Sequence, residues 1–325
     1  MTILSIVIPT YDRNQILEKS LSQLAVQLTD NVDVLIIDNC SPQPVCVDRS
    51  LKNVKILRNS INIGGNGNII RCFEMCESDW IWVLGDDDMP MEEAIQSALS
   101  AIKDHPNSLI INFSTVNAFT RNTELFGHGI DEFLKKLDDF GNLLFISSSI
   151  FNSKKIRQKI EYGYHYSYSC APHIAMLLMS MDDEAEFRFS TKALVQWERQ
   201  IEENRGSLLV ISKGLPILLD LPLTPIRRHL LGQHLSRFPS VSAIAHQIFL
   251  QIVFSRMKKS EARKLFKAIL KRVSIEYGIR RRFIGCIWSL LMYFPTTSYR
   301  LIVKPLYHRM TGHESGKHKI GLERL

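Results

Sequence analysis

The hydrophobic positions in the first third of the chain alternate between strand and helix spacing. Five short segments rich in apolar residues predict buried strands, at residues 3–8, 32–37, 54–57, 80–84 and 109–113. Between them, apolar residues recur every three or four positions, which predicts intervening helices. This alternation is typical of an α/β fold, with a Rossmann-like, mainly parallel sheet and helices on both faces.

The pattern changes in the remainder of the chain. Residues 143–151 predict a strand, residues 171–181 a helix, and residues 208–219 a further strand or pair of strands. From Pro239 on, apolar residues at helical spacing alternate with many cations, as in residues 255–272. We therefore expect a basic amphipathic helical region at the C-terminal end.

Charge divides the 325-residue chain unevenly, although its formal net charge is only +7. Residues 226–325 hold 20 Lys and Arg against 4 Asp and Glu, a net charge of +16, which leaves −9 for residues 1–225. Aromatic and aliphatic residues beside Lys and Arg are typical of helices that lie on anionic membranes. The alternatives are a solvated helical cap and a nucleic-acid surface; with no recognition motif present, we expect no nucleic-acid partner.

The sequence favours a cytoplasmic location. Its first 14 residues lack the basic flank and cleavage site of a leader, and the apolar stretch Phe283–Phe294 is shorter than the roughly 20 residues that cross a bilayer. Six cysteines form no CxxC pair, so we expect reduced thiols.

Three adjacent carboxylates present the clearest chemistry. Asp86, Asp87 and Asp88 follow Gly85 where the strand 80–84 ends. Like charges repel there, so a compensating partner is needed. A Mg²⁺ or Mn²⁺ ion that also holds a diphosphate is one candidate, because such ions bind one or two carboxylates together with phosphate oxygens. The alternative is a solvated acidic turn in which Asp88 caps the next helix.

Other polar residues also follow predicted strands. Tyr11 follows the first strand and Asp38 and Asn39 follow the second, and ligands of such sheets sit beyond the carboxyl ends of the strands. The segment Gly64–Gly67 matches neither GxGxxG nor a Walker sequence, but it could let the protein backbone approach a nucleotide, with Arg71 reaching a phosphate. An ordinary loop with a surface arginine explains this segment equally well.

Four segments in this order resemble the inverting glycosyltransferases of family 2, which have the GT-A fold. The segments are SIVIPTYDRN, VLIIDNCS, NIGGNGN and WVLGDDDMP. The resemblance covers about the first 115 residues and continues weakly to about residue 220. It is strongest to abequosyltransferase-like enzymes that build O-antigen repeat units, in which a Pro-His pair precedes an apolar helix, as Pro172 and His173 do here.

The resemblance implies roles for individual residues. Pro9 and Tyr11 would border the nucleobase; the full implied nucleotide-binding set is Pro9, Tyr11, Asp38, Asn39, Gly64, Asn68, Arg71 and Asp86. The family's Asp-x-Asp-Asp motif places Gly85 where the first acid stands. Asp87, with Asp88 beside it, becomes the expected ligand of Mg²⁺ or Mn²⁺.

The position of the family's catalytic base holds His173, where relatives have a Glu-Asp pair. An imidazole can accept a proton at neutral pH, although a histidine in an apolar helix is more often a packing residue. Asp182, Asp183 and Glu184 are second candidates, further along the predicted helix. Asn39 favours a cytidine-linked donor, since its amide can donate to cytosine N3.

The implied protein is a metal-dependent hexosyl or dideoxyhexosyl transferase of bacterial surface polysaccharide synthesis. It would move sugar from a nucleoside-diphosphate donor to a lipid-linked glycan, on the inner face of the plasma membrane. Residues 1–115 would bind the donor, residues 116–225 the acceptor, and residues 226–325 the membrane surface. The alternatives are a nucleotidyltransferase and a catalytically silent, membrane-associated binding protein.

Overall fold

A computed structural model of the chain describes residues 2–47, 53–197 and 213–238, together with Ser260. The chain divides into two compact units, residues 1–199 and 200–325. The segments 255–272, 280–294 and 299–310, which carry most of the predicted basic region, lie outside the described residues apart from Ser260.

The first unit is built on a nine-stranded sheet. Its strands are β1 Leu4–Thr10, β2 Val32–Asp38, β3 Val54–Arg58, β4 Trp80–Val83, β5 Met89–Pro90, β6 Ser108–Val116, β7 Leu125–His128, β8 Ser149–Asn152 and β9 Glu186–Gln196. Their order is β3-β2-β1-β4-β8-β6-β9-β5, with β7 on β9. Strands β1 to β4 run parallel, and β8 runs antiparallel to both β4 and β6. The carboxyl ends of β1, β2 and β4 therefore share one edge.

Helices connect these strands. In the first unit they are α1 Asn14–Ala25, α2 Gly64–Met75, α3 Ala94–Asp104, α4 Gly129–Lys136, α5 Phe140–Leu144, α6 Ser153–Arg157, α7 Ile160–His165 and α8 Pro172–Ser180. In the second unit, α9 spans Pro225–Arg237. The five predicted strands correspond to β1, β2, β3, β4 and β6, and the predicted α/β class is confirmed.

Both faces of the sheet are covered. On one face, Ile6 and Trp82 belong to a core cluster with Leu21 of α1 and Ile95 of α3. On the other, Phe73 of α2 packs edge-to-face against Phe151 of β8, with ring centroids 5.5 Å apart. Side chains alternate between the faces of a strand, so an uninterrupted apolar run such as Trp80–Val83 has a buried partner on either side.

Three sequence predictions for local structure were wrong. The segment 143–151 is not one strand: it contains the end of α5, a 3-10 turn at Ile146–Ser148 and the start of β8. Leu215–Asp220 forms a 3-10 helix rather than a strand, with proline at its start, where an amide hydrogen is dispensable. The glycine segment is the first turn of α2, not a loop before it, and Gly64 begins it at a φ of +78°.

Cysteines and helices in the described part of the chain bear on two further expectations. Cys40, Cys46, Cys72, Cys76 and Cys170 are thiols there. Burial raises the pKa of the Cys72 and Cys76 thiols, which keeps both protonated. Across residues 2–47, 53–197 and 213–238, no helix is long and apolar enough to cross a membrane.

Gly129 is required where α4 meets the segment before β9. Its φ is +73°, and a Cβ added there would lie 2.9 Å from the Asp183 carbonyl oxygen. We expect Gly129→Ala to lower the free energy of unfolding by about 2 kcal/mol, from left-handed strain and a backbone clash. Urea unfolding measures this. Gly65→Ala is the matched control, since no atom lies within 4 Å of its added Cβ; equal losses in the two variants would contradict the assignment.

Candidate functional site

Arg13 is a cationic partner of two members of the acidic triplet. Its Nη1 donates to Asp86 Oδ1 at 3.1 Å and to Asp87 Oδ2 at 2.9 Å. Arg13 lies just before α1, past the end of β1, and β1 is the parallel neighbour of β4. Arg13 is not among the site residues predicted from the sequence. The signal was present, because a cation following the strand beside an acidic strand end can reach it.

Asp86 is the inner member of the triplet. It is 5% exposed, and Thr10 Oγ1 donates to its Oδ2 at 2.6 Å. Burial raises the pKa of Asp86, while the Thr10 hydrogen bond and the Arg13 charge act in the opposite direction. Thr10, at the end of β1, and Arg13, just past it, therefore hold this carboxylate in place.

Asp88 folds back over Gly85. Ser147 Oγ donates to Asp88 Oδ2 at 2.5 Å and accepts from the Gly85 amide at 2.8 Å. A Cβ at position 85 would collide with the Asp88 carboxylate, so glycine makes room for this arrangement. Burial, helped by the charges of Asp87 and Asp86, raises the pKa of Asp88 to about 7.

The alternative in which Asp88 caps the following helix is wrong. Helix α3 begins at Ala94, and its cap residue, Glu93, forms no side-chain capping bond. Asp88 lies well before this cap and accepts its side-chain hydrogen bond from Ser147 instead.

Asp38 organises the loop after β2. It is fully buried and accepts from the Ser41 amide at 2.9 Å, from the Val45 amide and from the Arg58 guanidinium. Burial acts to raise the pKa of Asp38, but the hydrogen bonds from Ser41, Arg58 and Val45 outweigh it, so the pKa lies below its usual value.

Asn39 ties β2 to the segment leading into α2. Its Nδ2 donates to Asn62 Oδ1 at 2.9 Å, and its Oδ1 accepts from Asn59 Nδ2 at 3.1 Å and from the Ile63 amide at 3.0 Å. Both ends of the amide are thus used within the protein. Asn68 completes this network, since it accepts from Asn59 at 2.9 Å and donates to the Ile37 carbonyl.

Thr10 joins the acidic triplet to this amide network. Its side-chain hydroxyl donates to Asp86. Its backbone carbonyl oxygen accepts from the backbone N–H of Asn39 at 2.9 Å. Pro9 and Tyr11 flank it and are partly buried. The structure therefore brings Pro9, Tyr11, Asp38, Asn39 and the acidic triplet to one edge of the sheet, as the strand pattern predicts.

Arg71 lies on α2. It pairs with Glu74 at 2.5 Å and lines a cavity of about 870 Å³ with Gly64, Arg58 and Tyr164. No member of the acidic triplet lines that cavity. The diphosphate contact implied for Arg71 stays a prediction.

His173 lies in the interior, at the start of α8. It is 3% exposed, and neither ring nitrogen has a hydrogen-bond partner of standard geometry. Burial lowers the pKa of His173 to about 4, against a small opposing effect of the Leu143 and Leu144 backbone. A general base must reach the hydroxyl it deprotonates, so this placement favours packing, and the base role stays a prediction.

The second candidates for the base lie elsewhere. Helix α8 ends at Ser180, so Asp182, Asp183 and Glu184 follow it rather than continue it. They precede β9, whose first residue, Glu186, pairs with Ser108 at the start of β6. Asp182, Asp183 and Glu184 therefore lie near the amino ends of the strands, opposite the edge that carries the acidic triplet.

A divalent cation fits the triplet only together with another ligand. Within the described ranges, no group of three or more His, Cys, Asp or Glu side chains could hold a metal ion alone. Asp87 and Asp88 supply hard carboxylate oxygens, and the Asp87 side chain is 24% exposed. Mg²⁺ commonly takes one or two carboxylates and completes its shell with phosphate oxygens and water. The donor set fits such an ion bound jointly with a diphosphate.

Comparisons with known proteins agree with the fold. The sequence model described as "Glycosyl transferase family 2" matches residues 5–166. An uncharacterized glycosyltransferase of Haemophilus influenzae is 34% identical over 111 residues, covering 34% of this chain and 37% of that protein. Abequosyltransferase RfbV of Salmonella typhimurium is 31% identical over 101 residues, covering 29% and 30%. The chain thus spans about a third of the length of these relatives.

Among solved structures, residues 1–349 of S. aureus TarS superpose with a TM-score of 0.57 at 13% identity, covering 97% of this chain and 93% of that one. The fold is that of the GT-A glycosyltransferases. Residues 5–166 of the chain belong to glycosyltransferase family 2.

The buried imidazole predicts a pH-dependent stability. Its folded pKa of about 4 lies below the unfolded value of about 6.5. Between these values the unfolded state binds more protons, so the free energy of unfolding decreases as the pH is lowered. We expect the wild type to lose about 2 kcal/mol more than His173→Leu between pH 7 and pH 5. Urea unfolding followed by the fluorescence of Trp80 and Trp82 measures this. Parallel pH profiles would contradict the buried, neutral histidine.

Proposed function

We propose that this glycosyltransferase transfers a hexose or dideoxyhexose, with inversion, from a nucleoside-diphosphate donor to a hydroxyl of a lipid-linked glycan, in the synthesis of a bacterial surface polysaccharide. One observation carries the proposal: Asp86, Asp87 and Asp88 lie at the end of β4, held by Thr10, Arg13 and Ser147. The carboxylates are themselves anionic, so the stabilisation of a leaving diphosphate would come from a divalent cation that they hold.

The donor class has support from a fold neighbour. TarS structures include complexes with UDP and with UDP-GlcNAc, which supports a nucleoside-diphosphate sugar here. The proposed nucleotide contacts are those at the shared edge, around Pro9, Tyr11, Asp38 and Asn39. A cytidine preference gains no support from Asn39, because its amide is already bonded to Asn59, Asn62 and Ile63.

Asp87 and Asp88 would hold a Mg²⁺ or Mn²⁺ ion, which would supply Lewis-acid stabilisation of the leaving diphosphate. We propose that Asp86 does not bind the metal ion directly, since Thr10 and Arg13 already donate hydrogen bonds to both of its carboxylate oxygens. Ser147 would keep Asp88 turned towards Gly85.

Donor hydrolysis tests the proposal. Purified full-length protein with Mn²⁺ and a panel of nucleotide sugars should release nucleoside diphosphate slowly. Asp87→Asn should lower this rate by about 10²–10³-fold, the loss typical of one stabilising group. The control is Asp79→Asn, another carboxylate beside β4, which pairs with Lys154 at 2.6 Å on the surface.

The rival functions predict different results with the same protein. A silent binding protein would be stabilised thermally by a nucleotide sugar but would release no nucleoside diphosphate from it. A nucleotidyltransferase would instead release pyrophosphate from a nucleoside triphosphate and sugar phosphate. Either pattern, or equal rates for Asp87→Asn and the wild type, would overturn the proposal.

Membrane-surface binding is proposed for residues 226–325, which carry the net charge of +16. Each cation near an anionic surface contributes about 1 kcal/mol. We expect the full-length protein to sediment with phosphatidylserine-containing vesicles, but not with phosphatidylcholine vesicles, and to be released near 1 M salt, where the Debye length is about 3 Å. Protein that stays in the supernatant at low salt would remove this part of the proposal.

A further inference from the structure

Arg13 and the proposed divalent ion would both bind the Asp87 carboxylate. Arg13 Nη1 bonds it at 2.9 Å, and the proposed divalent ion would bind the same carboxylate. Two cations close to one carboxylate repel each other. Arg13 and the metal therefore compete unless one of them moves.

The burial of the two carboxylates indicates which contact is exchangeable. The side chain of Asp86 is 7% exposed, whereas those of Asp87 and Arg13 are 24% and 35% exposed. Water can replace a lost partner at Asp87 but scarcely at Asp86, where an unpaired buried charge is costly. Arg13 can thus release Asp87 while its guanidinium stays bonded to Asp86.

We propose that Arg13 is a positioning residue that holds Asp87 in the absence of donor and transfers to the donor's diphosphate when the metal binds Asp87. This inference rests on the proposed function. A guanidinium binds phosphate oxygens as readily as carboxylates. The diphosphate both completes the metal's shell and draws Arg13 away from Asp87. Metal and nucleotide therefore strengthen each other's binding, and the coupling is reciprocal.

Mn²⁺ binding to the full-length protein tests this exchange without measuring catalysis. The free ion is followed by electron paramagnetic resonance, with and without UDP. In the wild type we expect weak Mn²⁺ binding that UDP strengthens markedly. Arg13→Gln should bind Mn²⁺ alone about tenfold more tightly, because a charge-assisted bond no longer competes, and should lose most of the strengthening by UDP.

Two further variants complete the design. Lys154→Gln removes a cation from a surface ion pair outside the site and should match the wild type. Arg13→Lys keeps the charge without the forked donor, so its Mn²⁺ affinity should lie between those of the wild type and Arg13→Gln. It also serves if Arg13→Gln fails to fold.

The outcomes separate the two claims. If all variants bind Mn²⁺ equally, and UDP strengthens binding equally in each, the exchange is overturned while the proposed cation site stands. If Asp87→Asn binds Mn²⁺ as the wild type does, or if no protein binds Mn²⁺ even with nucleotide, the proposed cation site fails and the exchange fails with it.

Discussion

The contacts that neutralise adjacent carboxylates at the end of β4 are the constraint on which the site depends. Such charges repel one another and lose hydration when partly buried. The topology meets this requirement, since β4 lies between β1 and β8 in the sheet. From the β1 side come Thr10 and Arg13, and from the turn before β8 comes Ser147. Each carboxylate thus has a donor from a neighbouring segment.

Much of the sheet could be predicted from the sequence because periodicity reports burial directly. Strands covered on both faces read as apolar runs, and β1, β2 and β4 fit that pattern. The segment 143–151 also contains apolar residues, but Ser147, Ser148 and Ser149 are all fully buried within it. Their hydroxyls are satisfied by distant groups, such as Asn112 Nδ2, which donates to both Ser148 and Ser149. Periodicity carries no information about such bonds.

The site could be predicted as a set of residue types, but not as a set of contacts. Parallel strand ends meet at one edge, so polar residues after β1, β2 and β4 were expected to gather there. Which groups pair is decided by residues far apart in sequence, such as Arg13 with Asp86 and Asp87. Gly85 illustrates the limit: it looks like a missing acid in the sequence, whereas in the structure a Cβ there would lie 2.4 Å from the Asp88 carboxylate. His173 occupies the motif position, yet helical spacing alone could not tell its interior placement from an exposed one.

The residues of the site form two layers that differ in their freedom to change partners. Asp38 and Asp86 are buried and hold loops and strand ends through several donors each. Asp87 and Arg13 form an outer, partly exposed layer. Thr10 connects the buried layer to the amide network that leads into α2. Rearranging the outer pair costs little because water can solvate both groups, whereas rearranging the inner acids would leave unpaired charges in the interior. Ligand-dependent changes are therefore expected in the outer layer, on a buried framework that stays fixed.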